Sequence, residues 1–204
     1  MKQLGHLFRV PINGSIRIEP LQRLSPVMKF DLRTATESDI RAIESLITDS
    51  ARRLGARCYS SEQIEEALKA AWGVDTQLIV DQTYFVVESD GLIVGCGGWS
   101  YRETLFGNDT EHNRRSNLIN PQTGRAKIRA YFVSPDYARR GIGTMIYMKC
   151  EEEARRHGFE KFELMATLPG VTFYEFHGFI AGEPISYKLK KKLSIEFVPM
   201  KKDE

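Results

Sequence analysis

Few features of this chain would mark it as disulfide-stapled, membrane-spanning or metal-binding. Its 204 residues include only three cysteines, Cys58, Cys96 and Cys150, and no two of them form a CxxC pair. An odd, scattered set of cysteines argues against a disulfide framework or a zinc ribbon and favours reduced thiols. No apolar run approaches the roughly 20 residues of a membrane span, and residues 1–9 have no apolar core of signal-peptide length. We therefore expect a cytoplasmic protein that holds no metal and does not enter a membrane.

The chain also lacks a strong charge of either sign. Its net charge is +2 at neutral pH and its pI is about 8.4. The chain therefore lacks the strongly positive charge that would indicate nucleic acid as a partner. Apolar residues make up 42% and charged residues 27%, which is the balance of an ordinary globular domain. Residues 1–27 mix prolines and glycines with isolated aliphatics and follow no regular period. We predict an irregular arm over 1–27 and one domain over 28–204.

Hydrophobic periodicity predicts a mixed α/β fold. Alternating apolar residues predict strands, and apolar residues spaced by three and four predict helices. The order is strand, two helices, hairpin, strand, helix, strand, short helix and one or two final strands. The segments are Met28–Leu32, Ile40–Gly55, Ser60–Gly73, Tyr84–Glu88 with Leu92–Trp99, Lys127–Val133, Ile142–Gly158, Phe162–Ala166, Phe173–Phe176 and the chain from Phe179 onward. The first half is therefore expected to be antiparallel, with a crossover through the helix that starts at Ile142.

Three segments depart from this regular pattern. The return strand of the hairpin contains Gly95, Gly97 and Gly98, which predict a bulge or a close approach of another backbone. Residues 102–126 form a polar stretch longer than most connections, which is equally typical of a functional loop and of a surface insertion. Lysines near the end of the chain favour a solvated edge strand protected from further pairing, namely Lys188, Lys190, Lys191, Lys192, Lys201 and Lys202.

The most informative stretch runs from Ala130 to Thr144, where a predicted strand leads through a glycine loop into a helix. Glycines permit close approach of the backbone, and the first amides of a helix have no partner within the helix. Those amides and the helix dipole favour an anion. Residues Gly141, Ile142, Gly143 and Thr144 therefore predict a phosphate-binding site.

Two common phosphate-binding motifs fit this loop poorly. A Walker loop needs a lysine directly after its last glycine, whereas Thr144 stands there. A dinucleotide-binding fingerprint needs a third glycine where this chain has Ile146, and that unit usually opens its domain instead of following two thirds of the chain. A nucleotide-binding oxidoreductase is therefore a weak alternative.

A third interpretation combines the loop with the residues on both sides of it. Val133, Ser134, Pro135, Asp136 and Tyr137 lead into Arg139, Arg140, Gly141, Ile142 and Gly143, and downstream stand Phe173, Tyr174, Glu175, His177, Gly178 and Phe179. These two motifs, in this order and separation, resemble the GCN5-related N-acetyltransferase (GNAT) family. The resemblance covers about 30–189 and is strongest over 128–179. One residue departs from it, because Ala138 stands where the family prefers arginine or glutamine.

The resemblance implies a mostly antiparallel central sheet flanked by helices, with a splayed pair of strands that admits acyl-CoA near Ala166 and Thr167. It implies acetyl-CoA as the co-substrate and no metal. The cofactor-binding set that it implies is Phe132, Val133, Arg139, Arg140, Gly141, Ile142, Gly143 and Thr144. It also implies that Tyr174 acts as general acid on the departing thiolate, which suits a phenol that is protonated at neutral pH.

The acceptor side is less defined by the sequence. The expected acceptor is an amine on a small molecule or a protein, bound between Arg52–Tyr59 and loop 102–126. Candidate general bases are Glu88, Glu103 and Tyr131. Cys150 falls on the core side of its helix, so direct transfer is favoured over a thiol intermediate. Exposed strands near the end of the chain favour a homodimer. The alternative function is a non-catalytic acyl-CoA-binding or sensor module of the same fold.

Overall fold

The computed structural model describes residues 28–104 and 117–203. Within them, eight strands form one sheet covered by five helices. The strands are β1 Asp31–Thr34, β2 Tyr84–Ser89, β3 Leu92–Ser100, β4 Ala126–Val133, β5 Lys161–Thr167, β6 Ile180–Ala181, β7 Ile185–Lys188 and β8 Ser194–Asp203. The helices are α1 Ile40–Gly55, α2 Ser61–Ala70, α3 Thr76–Val80, α4 Ile142–Arg156 and α5 Val171–Phe176. The predicted arm and the middle of loop 102–126 lie outside the described residues.

The sheet is mixed and mostly antiparallel, as predicted. Its order is β1-β2-β3-β4-β5-β8-β6, and β7 also pairs with β8. Only β4 and β5 are parallel, and α4 is the crossover between them. A parallel connection needs such a crossover, whereas the neighbouring antiparallel strands β2 and β3 need only the tight turn at Asp90 and Gly91.

Helices cover both faces of the sheet. Strand β2 has a continuous apolar run, because Phe85 and Val87 contact the cluster around α4 while Tyr84 and Val86 contact the cluster around α1, α2 and α3. A strand that is buried on both faces needs no polar alternation. Strands β4 and β5 therefore lie between two helical layers, with α4 and α5 on one face of the sheet and α1 and α2 on the other.

The ends of the helices follow from local chemistry. Ser60 and Gln63 form a capping box, in which the Gln63 amide donates to Ser60 Oγ at 3.2 Å and the Ser60 amide donates to Gln63 Oε1 at 2.8 Å. The second predicted helix is shorter than expected, because α2 ends at Ala70 and a separate helix, α3, follows. Five residues are too few to display a helical period, so the sequence pattern did not indicate α3.

The expectation of a solvated lysine edge is wrong for the last strand. Strand β8 lies inside the sheet, between β5 on one side and β6 and β7 on the other. Lys202 donates from Nζ to the hydroxyl of Tyr147 at 3.0 Å and to Glu151 at 2.9 Å, so it is held against α4. Only Lys188 lies in a strand at the edge, β7.

Candidate active site

The site begins as an opening between β4 and β5. The two strands pair only at Ala126 with Phe162 and at Lys127 with Glu163. Beyond those pairs both strands continue, to Val133 and Thr167, without pairing to each other. The predicted divergence of this strand pair is therefore confirmed. It leaves backbone groups of β4 and β5 facing a gap, which suits a ligand rich in amides.

A bulge in β4 shapes the wall of this opening. The register with β3 shifts between Cys96 and Gly98, so that Ala130 and Tyr131 face Gly97 alone. Ala130 takes a left-handed conformation with φ of 56°, and its carbonyl accepts a hydrogen bond from the Tyr84 hydroxyl at 3.0 Å. A Cβ atom on Gly97 would lie 2.7 Å from the Tyr131 ring. The two features predicted for the glycine-containing strand lie beside this contact. The register of β3 with β2 shifts so that Val94, next to Gly95, is the extra residue, and a Cβ on Gly98 would lie 2.6 Å from the carbonyl oxygen of Thr83.

The glycine loop lies where β4 ends and α4 begins. Gly141 precedes the helix with φ of 85°, and Arg139 has φ of 63°. Arg139 and Arg140 are both exposed, and the Arg140 guanidinium lies 5.4 Å from the centre of the Tyr137 ring. Two guanidinium groups beside the unpaired amides of a helix start suit a diphosphate.

The two loop glycines are required for different reasons. A Cβ on Gly143 would lie 3.1 Å from Cε2 of Phe173, so this glycine allows the start of α4 to pack against α5. A Cβ on Gly141 would meet nothing within 4 Å. Gly141 is favoured by its left-handed backbone, which costs other residues about 1–2 kcal/mol.

We expect Gly141→Ala to weaken CoA binding, because relief of the backbone strain moves the first amides of α4. Gly91, in the β2–β3 turn, provides a matched control, since it has φ of 76° and its Cβ would also meet nothing within 4 Å. Both alanine variants should lose a similar free energy of unfolding, about 1–2 kcal/mol. Calorimetric titration with CoA should show weakened binding for Gly141→Ala alone. Equal affinities in the two variants would contradict the loop assignment.

Tyr174 lies on α5, beside the opening. The helix follows β5 after the short turn Leu168–Gly170, and Tyr174 is 9% exposed. Its ring centre lies 6.2 Å from that of Tyr131 on β4 and 5.8 Å from that of Phe179. Burial raises the pKa of Tyr174, so the phenol holds its proton throughout the neutral range. The proton that a general acid needs is therefore present at the working pH, while the raised pKa also makes the phenol a weaker acid toward a thiolate.

The buried cysteines do not provide a nucleophile. Burial raises the pKa of Cys150, and likewise that of Cys96, to about 12. The thiolate is the reactive form of cysteine, and at neutral pH these thiols remain protonated. This chemistry agrees with the expectation of direct transfer. Cys58 is exposed, in the connection between α1 and α2.

None of the three candidate bases is suitably arranged. Burial raises the pKa of Tyr131 well above its usual value, and its buried hydroxyl has no hydrogen-bond partner among the described residues. Glu88 lies two strands from β4 and accepts hydrogen bonds from Arg33, at 3.1 Å and 2.5 Å. Glu103 follows β3 at the end of the sheet where Ser100 pairs with Lys127, which is the opposite end of β4 from the glycine loop.

The end of α1 and the α1–α2 connection together reach both sides of the opening, a feature that sequence reasoning missed. The Tyr59 hydroxyl donates to the carbonyl of Glu196 at 3.1 Å and accepts from the amide of Leu168, directly after β5, at 2.9 Å. Arg53, near the end of α1, donates to Asp136 in the turn after β4 at 3.0 Å. The sequence pattern indicated Arg52–Tyr59 as an acceptor region, but long-range contacts of this kind have no local signal.

Two other kinds of feature are absent from residues 28–104 and 117–203. No helix there has the length and apolar character needed to cross a membrane. No three His, Cys, Asp or Glu side chains in that part of the chain are grouped as metal ligands.

A family model described as the acetyltransferase (GNAT) family matches residues 40–179, which is more than half of the chain. The chain belongs to the GNAT acetyltransferase family. Its motif-based resemblance is thereby confirmed, and the alternative of a nucleotide-binding oxidoreductase is set aside. Curated protein sequences provide no match to this GNAT chain.

Solved structures agree with the GNAT fold. A GCN5-related N-acetyltransferase from Rhodopseudomonas palustris has a TM-score of 0.65 at 19% identity, over 87% of this chain and 98% of its own. The PaiA N-acetyltransferase from Thermoplasma acidophilum, in complex with coenzyme A, has a TM-score of 0.59 at 14% identity, over 87% and 100%. The ribosomal-protein-S18-alanine N-acetyltransferase from Escherichia coli has a TM-score of 0.54 at 12% identity, over 85% and 93%.

Proposed function

We propose that this GNAT protein is an N-acetyltransferase that moves an acetyl group from acetyl-CoA to a primary amine by direct attack, with Tyr174 as general acid. One observation carries the proposal. The opening between β4 and β5 brings an unpaired strand edge, a helix start suited to phosphate and a buried protonated tyrosine into one place. The strand edge suits the pantetheine arm, the helix start suits the pyrophosphate, and the tyrosine suits the departing thiolate.

The donor half of the site would bind acetyl-CoA, which supplies an acetyl group activated as a thioester. The amides of Ile142, Gly143 and Thr144, with Arg139 and Arg140, would hold the pyrophosphate. Backbone groups of Phe132 and Val133 border the opening and would pair with the amides of the pantetheine arm. The PaiA enzyme, which shares this fold, was solved in complex with coenzyme A, and that complex supports this choice of ligand.

In the transfer step, the amine nitrogen forms a bond to the acetyl carbon and the carbon–sulfur bond breaks. Tyr174 would give its proton to the departing thiolate, and the amine would lose a proton to water. A β4 amide near Val133 would stabilise the oxyanion that forms between these events. No described carboxylate among the predicted bases lies at the opening, so proton removal through water is favoured.

The acceptor would be a small-molecule or protein amine, bound beside the α1–α2 connection. Arg53 at the end of α1 contacts the β4 side of the opening, and Tyr59 in the connection contacts the β5 side. One structural neighbour is named as an N-acetyltransferase of a ribosomal protein, which illustrates that this fold accepts protein amines. We retain a cytoplasmic location and a homodimer as predictions.

The experiment has two stages. Thermal unfolding with CoA, and with NAD as the control ligand, tests the donor site. A ligand at about 100 times its dissociation constant adds about 2.7 kcal/mol to stability. Amine libraries with acetyl-CoA, followed by thiol release, then test transfer. Release above the amine-free rate supports the proposal. Binding of CoA without release for any amine would favour the sensor alternative, and absence of CoA binding would contradict both.

A further inference from the structure

His177 connects the helix that carries Tyr174 to the glycine loop. It lies directly after α5, and its Nε2 is 3.3 Å from Oγ1 of Thr144 in the first turn of α4. Its ring centre is 4.3 Å from that of Tyr147 and 4.7 Å from that of Phe173. The imidazole is thus held between the two helices by packing and makes one side-chain hydrogen bond into the proposed pyrophosphate site.

Burial, more than the charges around it, favours the neutral form of His177. Lys202 of β8 lies against the same face of α4, where it donates to Tyr147 and Glu151. Burial, and after it the charge of Lys202, lowers the pKa of His177, while Glu151 acts in the opposite direction. Burial raises the pKa of Tyr147, so that phenol adds no negative charge near neutral pH. On its own element, Glu175 is exposed.

A neutral imidazole has one N–H group, and its position decides what Thr144 offers to a ligand. If Nε2 carries the proton, it donates to Oγ1 of Thr144, and the hydroxyl proton of Thr144 is available for another acceptor. If Nε2 is unprotonated, it accepts that hydroxyl proton, and Thr144 presents only its oxygen lone pairs. An imidazolium is always a donor at Nε2.

We propose that His177 is a positioning residue that donates from Nε2 to Thr144 and thereby directs the Thr144 hydroxyl, as a hydrogen-bond donor, to the pyrophosphate of acetyl-CoA. This inference rests on the proposed function, because it requires the cofactor at the glycine loop. A bound diphosphate adds negative charge near the imidazole, and therefore favours uptake of a proton. Binding and protonation of His177 are then linked, and affinity rises as pH falls.

The test uses dephospho-CoA as the probe. This ligand keeps the pyrophosphate but lacks the 3′-phosphate monoester, a group whose own second pKa of about 6 would confuse a pH series. Titration calorimetry at pH 5.5 and pH 8 should show wild-type affinity higher at the lower pH. A pKa increase of about half a unit to one unit on binding sets an upper limit of about 3–10-fold, and the observed change should be smaller because the lowered pKa of His177 leaves part of the titration below pH 5.5.

Four variants isolate the imidazole. His177→Gln keeps an N–H donor for Thr144 and should bind about as well as wild type at pH 8, with no dependence on pH. Thr144→Val should lose affinity, because the hydroxyl that donates to the diphosphate is gone, but should keep the pH dependence that His177 contributes. Thr144→Ser should retain both. His157→Gln is the matched control, because His157 ends α4 as His177 ends α5, bonds the Glu153 carbonyl at 2.8 Å and stacks on Tyr101. It should keep the wild-type pH dependence.

A second measurement requires no variant. The imidazole resonances of His177 in wild-type protein should titrate at a higher pH when dephospho-CoA is bound. Wild-type affinity without pH dependence, pH dependence that persists in His177→Gln, or an unshifted His177 titration would each overturn the positioning role while leaving the proposed function intact. Failure of both CoA and dephospho-CoA to bind would overturn the proposed function, and this inference with it.

Discussion

Tyr174→Phe should lower kcat by about 10²–10⁴-fold, the range that positioned proton transfer contributes, and should leave acetyl-CoA binding nearly unchanged. The substitution removes only the hydroxyl, so the ring still packs against Tyr131, Phe173 and Phe179. Steady-state kinetics with a reactive amine gives kcat, and calorimetric titration of the same protein gives the affinity for acetyl-CoA. Equal losses in both quantities would indicate damage to the site as a whole instead of loss of an acid.

The neighbouring tyrosine offers a matched control for that result. Tyr131→Phe makes the same chemical change 6.2 Å away, on a hydroxyl that is buried without a partner among the described residues. We expect unchanged kcat, and stability that is equal or higher because an unsatisfied buried group is removed. If Tyr131→Phe reduced kcat as much as Tyr174→Phe does, Tyr174 would lose its assignment as the acid.

The pH profile provides a third line of evidence on Tyr174. A general acid works below its pKa, and burial raises that pKa above the ordinary tyrosine value of about 10. Activity should therefore show no alkaline decline from this group up to about pH 10. An apparent pKa of about 8 to 9 that disappeared in Tyr174→Phe would contradict the direction of the shift.

Asp75→Asn should be the most destabilising of the predicted changes, at about 3–5 kcal/mol of unfolding free energy. Asp75 precedes α3, and its carboxylate lies 2.6 Å from the guanidinium of Arg129 on β4. Their side chains are 0% and 3% exposed, respectively. Neutralising one partner leaves a buried charge uncompensated, beside the β4 bulge. Urea denaturation followed by circular dichroism measures the loss.

Asp136→Asn is the control for Asp75→Asn. Asp136 pairs with Arg53, but both side chains are largely exposed, so its loss should change the free energy of unfolding little. The double variant Asp75→Asn with Arg129→Met should recover part of the stability lost by Asp75→Asn, since the buried charge is then removed. A single-variant cost no larger than that of Asp136→Asn would show that the Asp75–Arg129 pair contributes little.

Local patterns predicted the parts of this molecule that local chemistry determines. Helix α1 ends at Gly55 as predicted, although Gly55 has no left-handed backbone and Ala56 follows it. Helix α4 begins at Ile142, directly after the left-handed Gly141. The loop and Tyr174 were found because their motifs are continuous in sequence. Gly143 was singled out for the phosphate loop, and the structure adds a packing reason that the motif did not indicate, since the ring beside it comes from α5.

The remaining features depend on contacts between distant residues. Strand β8 lies inside the sheet only because β6 and β7 pair with its outer side. No local property of Lys201 or Lys202 indicates that pairing. The Tyr59 hydroxyl finds its partners more than 100 positions away. The proposed acceptor half of the site depends on contacts of this type, which explains why sequence reasoning did not define it.

The limited pairing of β4 with β5 also affects how the molecule holds together. Two residue pairs are all that join the half-sheet β1–β4 to the half-sheet β5–β8 along this seam. A ligand that paired with both β4 and β5 would take the place of the missing strand pairing. The proposed donor, acetyl-CoA, would then bridge the two halves of the sheet where they pair least. Amide hydrogen exchange along Phe132–Val133 and Ala166–Thr167 should then slow together when CoA is added. The concentration of CoA would in that way determine how stably the two halves of the sheet are joined.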